Sequence, residues 1–375
     1  MTERDRYLNT LLFGTPDKIP FEPGKPREKT LKRWHREGLP EESDWYAHLC
    51  DLIGIEAAMQ IDPVGEGFIN FRMNPTFEEK VLEHKGGHYI VQDWMGNITE
   101  ISDEYDFTYL REPKDFVTRK WHAFPVESRK EFEKIKCRYD PMDQERYPHD
   151  FDFKVEEYRT RKSILSLNIA GPFWQLREWV GFEPLCMLFL EAPDFVQEMI
   201  SFYEDFVSKT MAKVLTERIV DRIWINEDMA FKGRSMISPE MTREFLLPTW
   251  SRWINEARDG GVRLFDIDSD GYIEDLLPIW IEAGFNVCDP LEVAAGNDIL
   301  KIRKEYGDRI AFRMGVDKRK MAAGGQEMAS ELDRLTPVIK DGGYIPGCDH
   351  GVPEDVGWND FLQYSERLAH LTGWK

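Results

Sequence analysis

The sequence predicts an α/β protein, a single (β/α)8 barrel spanning residues 1–375 with an irregular N-terminal elaboration that includes a β-hairpin. Three observations predict it. From about residue 161 onward, short apolar runs alternate with helical stretches, the pattern of a parallel sheet with crossover helices. The length, 375 residues, suits one barrel, because such barrels run to about 250 residues or more with insertions. No G-x-G-x-x-G follows a first strand, which weakens the dinucleotide-binding form of the runner-up, an open doubly wound sheet.

In chain order, Ile19-Pro-Phe-Glu22 and Ala57-Ala-Met-Gln-Ile61 supply the first two strands. His88–Asp93 and Asn97–Ser102 flank Trp94-Met-Gly96, strand formers around a Gly-containing turn, and read as a hairpin. Residues 111–160 are highly charged and contain Pro113, Pro125, Pro141 and Pro148. They read as loop and short helix covering one end of the core. The regular units then follow. Strands are expected at 163–168, 222–226, 262–265, 285–288, 310–313 and 344–345, each a short apolar run of the kind buried parallel strands show. Between them, 192–218 carries Phe195, Met199, Phe202, Phe206 and Met211 close to helical spacing. Ser238, Pro239 and Glu240 read as N-cap, first helical residue and first-turn charge of a helix that ends at Gly260-Gly261. Further helices fit 272–283, 297–306, 325–340 and 354–371.

Composition narrows the function. The formal net charge is −20, so a phosphate backbone or an anionic membrane surface would be repelled, and nucleic acid is set aside. No apolar run reaches the roughly 18 residues of a membrane helix, and the N-terminus lacks a signal-peptide core, so a cytoplasmic location is expected. The five cysteines, Cys50, Cys137, Cys186, Cys288 and Cys348, are widely spaced with no C-x-x-C, which argues against a disulfide framework.

In a barrel, functional residues gather where strands end, and these strand ends are polar. Asn168, Asn226-Glu227-Asp228, Asp266-Ile-Asp268-Ser-Asp270-Gly271, Asp289-Pro290 and Gly347-Cys348-Asp349-His350 follow the later strands, and Glu22 and Asp62 the first two. Crowded carboxylates raise one another's protonation or gather a cation, and carboxylate, imidazole and thiolate together suit a divalent metal such as zinc. The aspartates at 266–270 also suit turn chemistry. A calcium loop starting at Asp266 would put Leu277 where Glu is needed. Cys348 reads equally as a ligand or a buried inert thiol. Glu227 and Asp228 could cap a helix instead of acting chemically. Trp174, just past a strand end, either lines a ligand pocket or packs in the core, where Trp34, Trp45, Trp250 and Trp253 also fit. His84, His88, His122 and His149 read as structural.

Three segments resemble the uroporphyrinogen decarboxylase superfamily, which includes the methylcobamide:coenzyme M methyltransferases and the methyltransferase subunits of O-demethylases. They are Asn168-Ile-Ala-Gly-Pro-Phe-Trp174; the stretch with Glu227-Asp228, Ile237-Ser-Pro-Glu240, Pro248, Asp270-Gly271 and Glu282-Ala-Gly284; and His350-Gly351 with Pro353. Pro16-Asp-Lys-Ile-Pro20 is similar to the family's opening. The Arg-Gln-Ala-Gly-Arg run of true decarboxylases is missing, and the many acids would repel a tetrapyrrole carrying eight carboxylates. The resemblance therefore implies a metal-dependent methyltransferase that moves a methyl group from a small substrate, a methoxylated aromatic or similar methyl donor, to a corrinoid on a partner protein. Aligned on Gly271, Asp268 and Asp270 take the family's His-x-Cys zinc positions and Cys348 its later Cys. Glu227, Asp228 and His350 are then the catalytic candidates, and Asn168, Trp174, Asp266 and Arg313 the substrate-binding ones. Decarboxylation of a polycarboxylate, using Arg27, Arg33, Arg177, Arg234 or Arg313, is the alternative. A non-catalytic corrinoid or tetrapyrrole binding module is the third reading. A homodimer is compatible with all three.

Overall fold

The computed structural model describes residues 1–57, 68–105 and 118–375. Four strands, β1 (Lys80–Lys85), β2 (His88–Gln92), β3 (Ile98–Ser102) and β4 (Lys120–Ala123), form an antiparallel sheet in the order β1-β2-β3-β4. The expected hairpin is its β2–β3 pair, with Tyr89 opposite Ile101 and Val91 opposite Thr99. His84 and His122 sit on this sheet, bonded to Asp103 and Glu100. Short helices at Arg129–Ile135 and Phe151–Arg159 follow.

The six later strands expected from sequence are all present: β5 (Ser166–Ala170), β6 (Arg222–Asn226), β9 (Leu264–Asp268), β10 (Val287–Asp289), β11 (Ala311–Arg313) and β12 (Tyr344–Ile345), with the two-residue strands β7 (Ala230–Phe231) and β8 (Arg234–Ser235) forming a small hairpin after β6. The six pair in parallel in the order β12-β11-β10-β9-β6-β5, with helices between them, as (β/α)8 architecture requires. The segment 19–26 runs beside the chain after β12. Cys348 N–H donates to the Pro23 carbonyl and Val352 N–H to that of Lys25, and Pro26 bridges Val352 in parallel. It occupies the first-strand position but is not a regular strand, because Pro20, Pro23 and Pro26 remove the donors a ladder needs. The second expected strand at 57–61, and Asp62, lie outside the described residues apart from Ala57, as does Pro113.

Strand boundaries shift in an informative way. β5 and β9 run two or three residues further than the apolar runs suggest, so Asn168 and Asp266 lie inside strands rather than beyond them. The helix expected from Pro239 breaks at Leu246 and restarts as Leu247–Asp259, because Pro248 cannot donate into the preceding turn. The helix expected from 272 begins at Leu277. Among the tryptophans, Trp34, Trp250 and Trp253 are buried core residues.

Alternation along the strands separates two environments. Leu165, Leu167, Ile169, Ile223, Ile225, Phe265, Ile267, Cys288 and Phe312 join the large core beneath the surrounding helices. The residues of opposite parity face inward. At the floor, Ile164, Leu264, Val287, Ala311 and Ile345 pack against Tyr7, Leu8 and Leu11 of the helix Glu3–Leu11, which plugs the barrel. Thr2 caps that helix through a reciprocal bond with Asp5.

Above the floor the inward faces become ionic. Arg222 approaches Asp266 at 2.5 Å. Arg313 donates to Asp289 and, at 2.9 Å, to Glu22. All five side chains are buried. Asp266 and Arg313 are thus partners in the barrel's internal charge lattice, below the mouth, rather than the exposed substrate-binding residues that their strand-end reading suggested. Removing one partner of a buried ion set strands the other charge in low dielectric. Arg313→Met is expected to cost about 3–5 kcal/mol in denaturant unfolding, because it leaves Asp289 and Glu22 without their cation.

Candidate active site

Strand register assembles the site. Asn226 pairs with Asp268, and Asp268 with Asp289, across β6, β9 and β10. Neighbours in register on a parallel sheet face the same way, so three polar side chains stand in a row at the carboxyl ends of the strands. They form one wall of a cavity of about 400 Å³. Trp174, Trp224, Asp228, Asp270, Pro290, Met314, His350 and Gly351 complete its lining. Asp228 and Met314 adopt positive φ, 38° and 67°. Non-glycine residues are held this way only where the surroundings impose it, and such positions cluster at functional sites.

The carboxylates differ in their partners. Asp228 accepts from Arg177 at 3.2 Å, and burial, opposed by that guanidinium, raises its pKa. Arg177 also lies over the Trp174 ring, 4.1 Å from its centroid. Asp289 takes the Trp224 indole N–H at 3.1 Å as well as Arg313. Asp270 is bonded to His350 Nε2 at 3.2 Å. Burial pushes Asp270 up, but that hydrogen bond and the charges of His350, Lys318 and Arg27 outweigh it and hold the carboxyl below its usual value. His350 Nδ1 faces two donors, Gly351 N–H at 2.7 Å and Arg27 at 3.1 Å. The ring proton therefore belongs on Nε2, toward Asp270.

Asp268 has no such cation. Its only side-chain partner among the described residues is the Asn226 amide. Burial raises its pKa well above the usual carboxylate value, and the nearby charges of Asp289 and Asp270 push it further. A positive ligand beside it would favour its charged form.

Of the sequence-derived candidates, the cavity brings together Asp228, Asp268, Asp270, His350 and Trp174. Asn168 lies on β5, accepting from Ser166 at 2.9 Å, and does not line it. Glu227 has the opposite parity to Asn226 and turns away from the cavity. Its carboxylate accepts from Trp174 N–H at 3.1 Å and Trp250 Nε1 at 2.6 Å, at the start of the helix Pro172–Val180. A Cβ on Gly171 would stand 2.1 Å from that carboxyl carbon, so only glycine lets the backbone come so near. Cys348 also has the outward parity. It is fully buried in the core beneath the closing helix, and burial pushes its thiol up to about 12.

This corrects the metal expectation. A zinc site needs a thiolate converging with its other ligands, whereas this thiol is neutral and on the far side of the chain from Asp268 and Asp270. Among the described residues, no three His, Cys, Asp or Glu side chains are grouped to hold a metal ion. The donor set Asp268, Asp270 and Cys348 does not fit zinc.

Of the lining residues Trp224, Asn226, Asp289 and Met314, sequence reasoning had Asn226 and Asp289 only as polar strand ends and missed the other two. The signal for three of them was the alternation Arg222-Ile-Trp-Ile-Asn226 and Val287-Cys-Asp289, whose polar members share the inward face. Nothing in sequence marks Met314.

The molecule is a (β/α)8 barrel with an acidic, tryptophan-lined cavity at the mouth. No protein-family model and no curated protein matches the chain. Among solved structures, it is similar to a methyltransferase from Methanosarcina mazei, with a TM-score of 0.53 and 14% identity over 99% of each chain. A B12-independent methionine synthase from Shewanella sp. W3-18-1 matches 58% of this chain and 64% of its own, with 9% identity and a TM-score of 0.37. The first likeness, over the full length, shows the shared fold.

Two outcomes follow. Burial raises the Glu227 pKa to about 8, with hydrogen bonds from Trp174, Trp250 and Phe173 opposing. A raised acid stabilises the fold fully below its unfolded value near 4.5 and loses that contribution as pH climbs through 8. The stability gap between wild type and Glu227→Gln, measured by denaturant unfolding, should narrow by at least about 1 kcal/mol from pH 5 to pH 8.5. Native iodoacetamide labelling at pH 8, mapped by mass spectrometry, should modify the exposed Cys137 and spare Cys348.

Proposed function

We propose that this chain is a methyltransferase that holds a small heteroatom-methyl donor in the mouth cavity and passes the methyl group to a nucleophile arriving from the open side. The observation that carries the reading is Asp268, a carboxyl at the cavity wall with no cationic partner among the described residues, set in a barrel that has a full-length structural relative named a methyltransferase. The acceptor implied by the superfamily resemblance is a reduced corrinoid on a partner protein, which supplies a strong nucleophile when docked.

The transfer is a displacement. An electron pair of the acceptor forms the new bond to the methyl carbon, the bond from methyl to heteroatom breaks, and its pair stays on the heteroatom. The protein's part is to place that heteroatom against Asp268 and to answer the change in its charge. Arg27 braces His350, which holds Asp270, and Arg177 holds Asp228, so the rest of the acidic wall stays fixed while the donor reacts. No step requires a bound metal. The decarboxylase alternative needs free arginines at the mouth. Arg313 is spent on Asp289 and Glu22, Arg33 on Glu37, and among the described residues no arginine lines the cavity.

The test is loss of cob(I)alamin absorbance when the purified chain is mixed with a panel of N-methyl, O-methyl and S-methyl donors. Asp268→Asn is expected to lower the transfer rate at least about 100-fold while retaining the far-UV spectrum of the fold. Wild-type protein that consumes no cob(I)alamin with any donor, or turns over uroporphyrinogen instead, removes the proposal.

A further inference from the structure

The charge of the cavity selects a class of donor. Resting on the methyl-transfer reading, we propose that the donor is a small organic cation, a methylated ammonium whose charged head sits between Asp268 and the indoles of Trp174 and Trp224. Among the described residues, four carboxylates line the cavity, and no lysine or arginine does. Three have partners: Asp228 and Asp289 are answered from outside it, by Arg177 at 3.2 Å and by Arg313, and Asp270 by the His350 ring of the lining at 3.2 Å. The fourth, Asp268, meets only the Asn226 amide. An anionic donor would face four acids, and a neutral one would leave the surplus charge unanswered. A cation answers it.

The aromatic walls point the same way. The face of an indole attracts positive charge, and Trp174 already holds the Arg177 guanidinium 4.1 Å from its ring centroid. Trp224 gives its N–H to Asp289 at 3.1 Å, so it has no donor left for an anionic or carbonyl ligand and offers ring surface alone. Met314 adds a polarizable thioether. A cavity of about 400 Å³ lies in the range that encloses small ligands.

A cationic donor also simplifies the reaction. The acceptor's electron pair attacks the methyl carbon, the C–N bond breaks, and its pair remains on nitrogen. A neutral tertiary amine leaves. No proton is consumed and no oxidant is required. The loss of positive charge beside Asp268 and the indoles weakens product binding and favours release.

The experiment compares choline with 3,3-dimethylbutan-1-ol, its uncharged isostere, by titration calorimetry on the full chain at constant ionic strength. Choline is expected to bind at least about tenfold more tightly. Asp268→Asn and Trp174→Ala should each reduce that preference several-fold, and the comparison of the two ligands needs no variant. Choline binding no tighter than the isostere, including no binding of either, overturns the inference. The two proposals fail separately. Selective choline binding without methyl transfer from any donor removes the reaction and keeps the cation site. Methyl transfer from neutral donors without choline preference removes the cation site alone.

Discussion

The interior of this barrel must neutralise its own charges. Barrels of this architecture usually fill their inner layers with branched apolar side chains. Here only the floor is apolar, and above it Arg222, Asp266, Asp289, Arg313 and Glu22 are buried together. Such groups are tolerated only when each finds an opposite charge at close range. Arg313 has a second task. The segment 19–26 lacks a regular ladder, and the ion pair of its Glu22 with Arg313 ties it to β11. Closure on that side therefore depends on electrostatics as well as on the few backbone bonds to residues 348 and 352.

The same lattice shapes the mouth. Arg313 draws Asp289 against β11, and Asp289 in turn orients the Trp224 indole. With Asp289 and Asp266 satisfied from below, the cations within the barrel are used up before the register reaches Asp268. Asp268 inherits the excess negative charge. That excess is a property of the whole stack, because the Asn226–Asp268–Asp289 row is fixed by backbone pairing rather than by side-chain choice.

Much of this was legible in the sequence, and the failures have two causes. Alternation of short apolar runs with helices identified all six described barrel strands and the hairpin. The acidic strand ends led to Asp228, Asp268, Asp270 and His350, all of which line the cavity. The strands were closed too early, however, because an aspartate was taken to end an apolar run. Asp266 and Asp289 are strand residues, and a buried charged strand becomes readable only once its partners Arg222 and Arg313 are known. Parity misled twice. Glu227 and Cys348 sit next to inward-facing positions in sequence, but one residue's step reverses a side chain's direction. The partners that reveal this, Trp250 for Glu227 and the core around Tyr364 for Cys348, come from elements far away along the chain.

The outward turn of Glu227 has a consequence for the cavity it does not enter. Its carboxyl holds the Trp174 N–H in the first turn of the helix Pro172–Val180. That helix carries Trp174 and Arg177, so Glu227 fixes the aromatic wall and the cation that answers Asp228. The opposite wall, His350 with Asp270, is set by Arg27 and the Gly351 N–H. Both sides are thus braced by groups that lie behind them, while Asp268 between them is not. A rigid frame around one unanswered carboxyl resists collapse of its acids onto each other. The neutralising charge must then come from outside, with the ligand that fills the cavity.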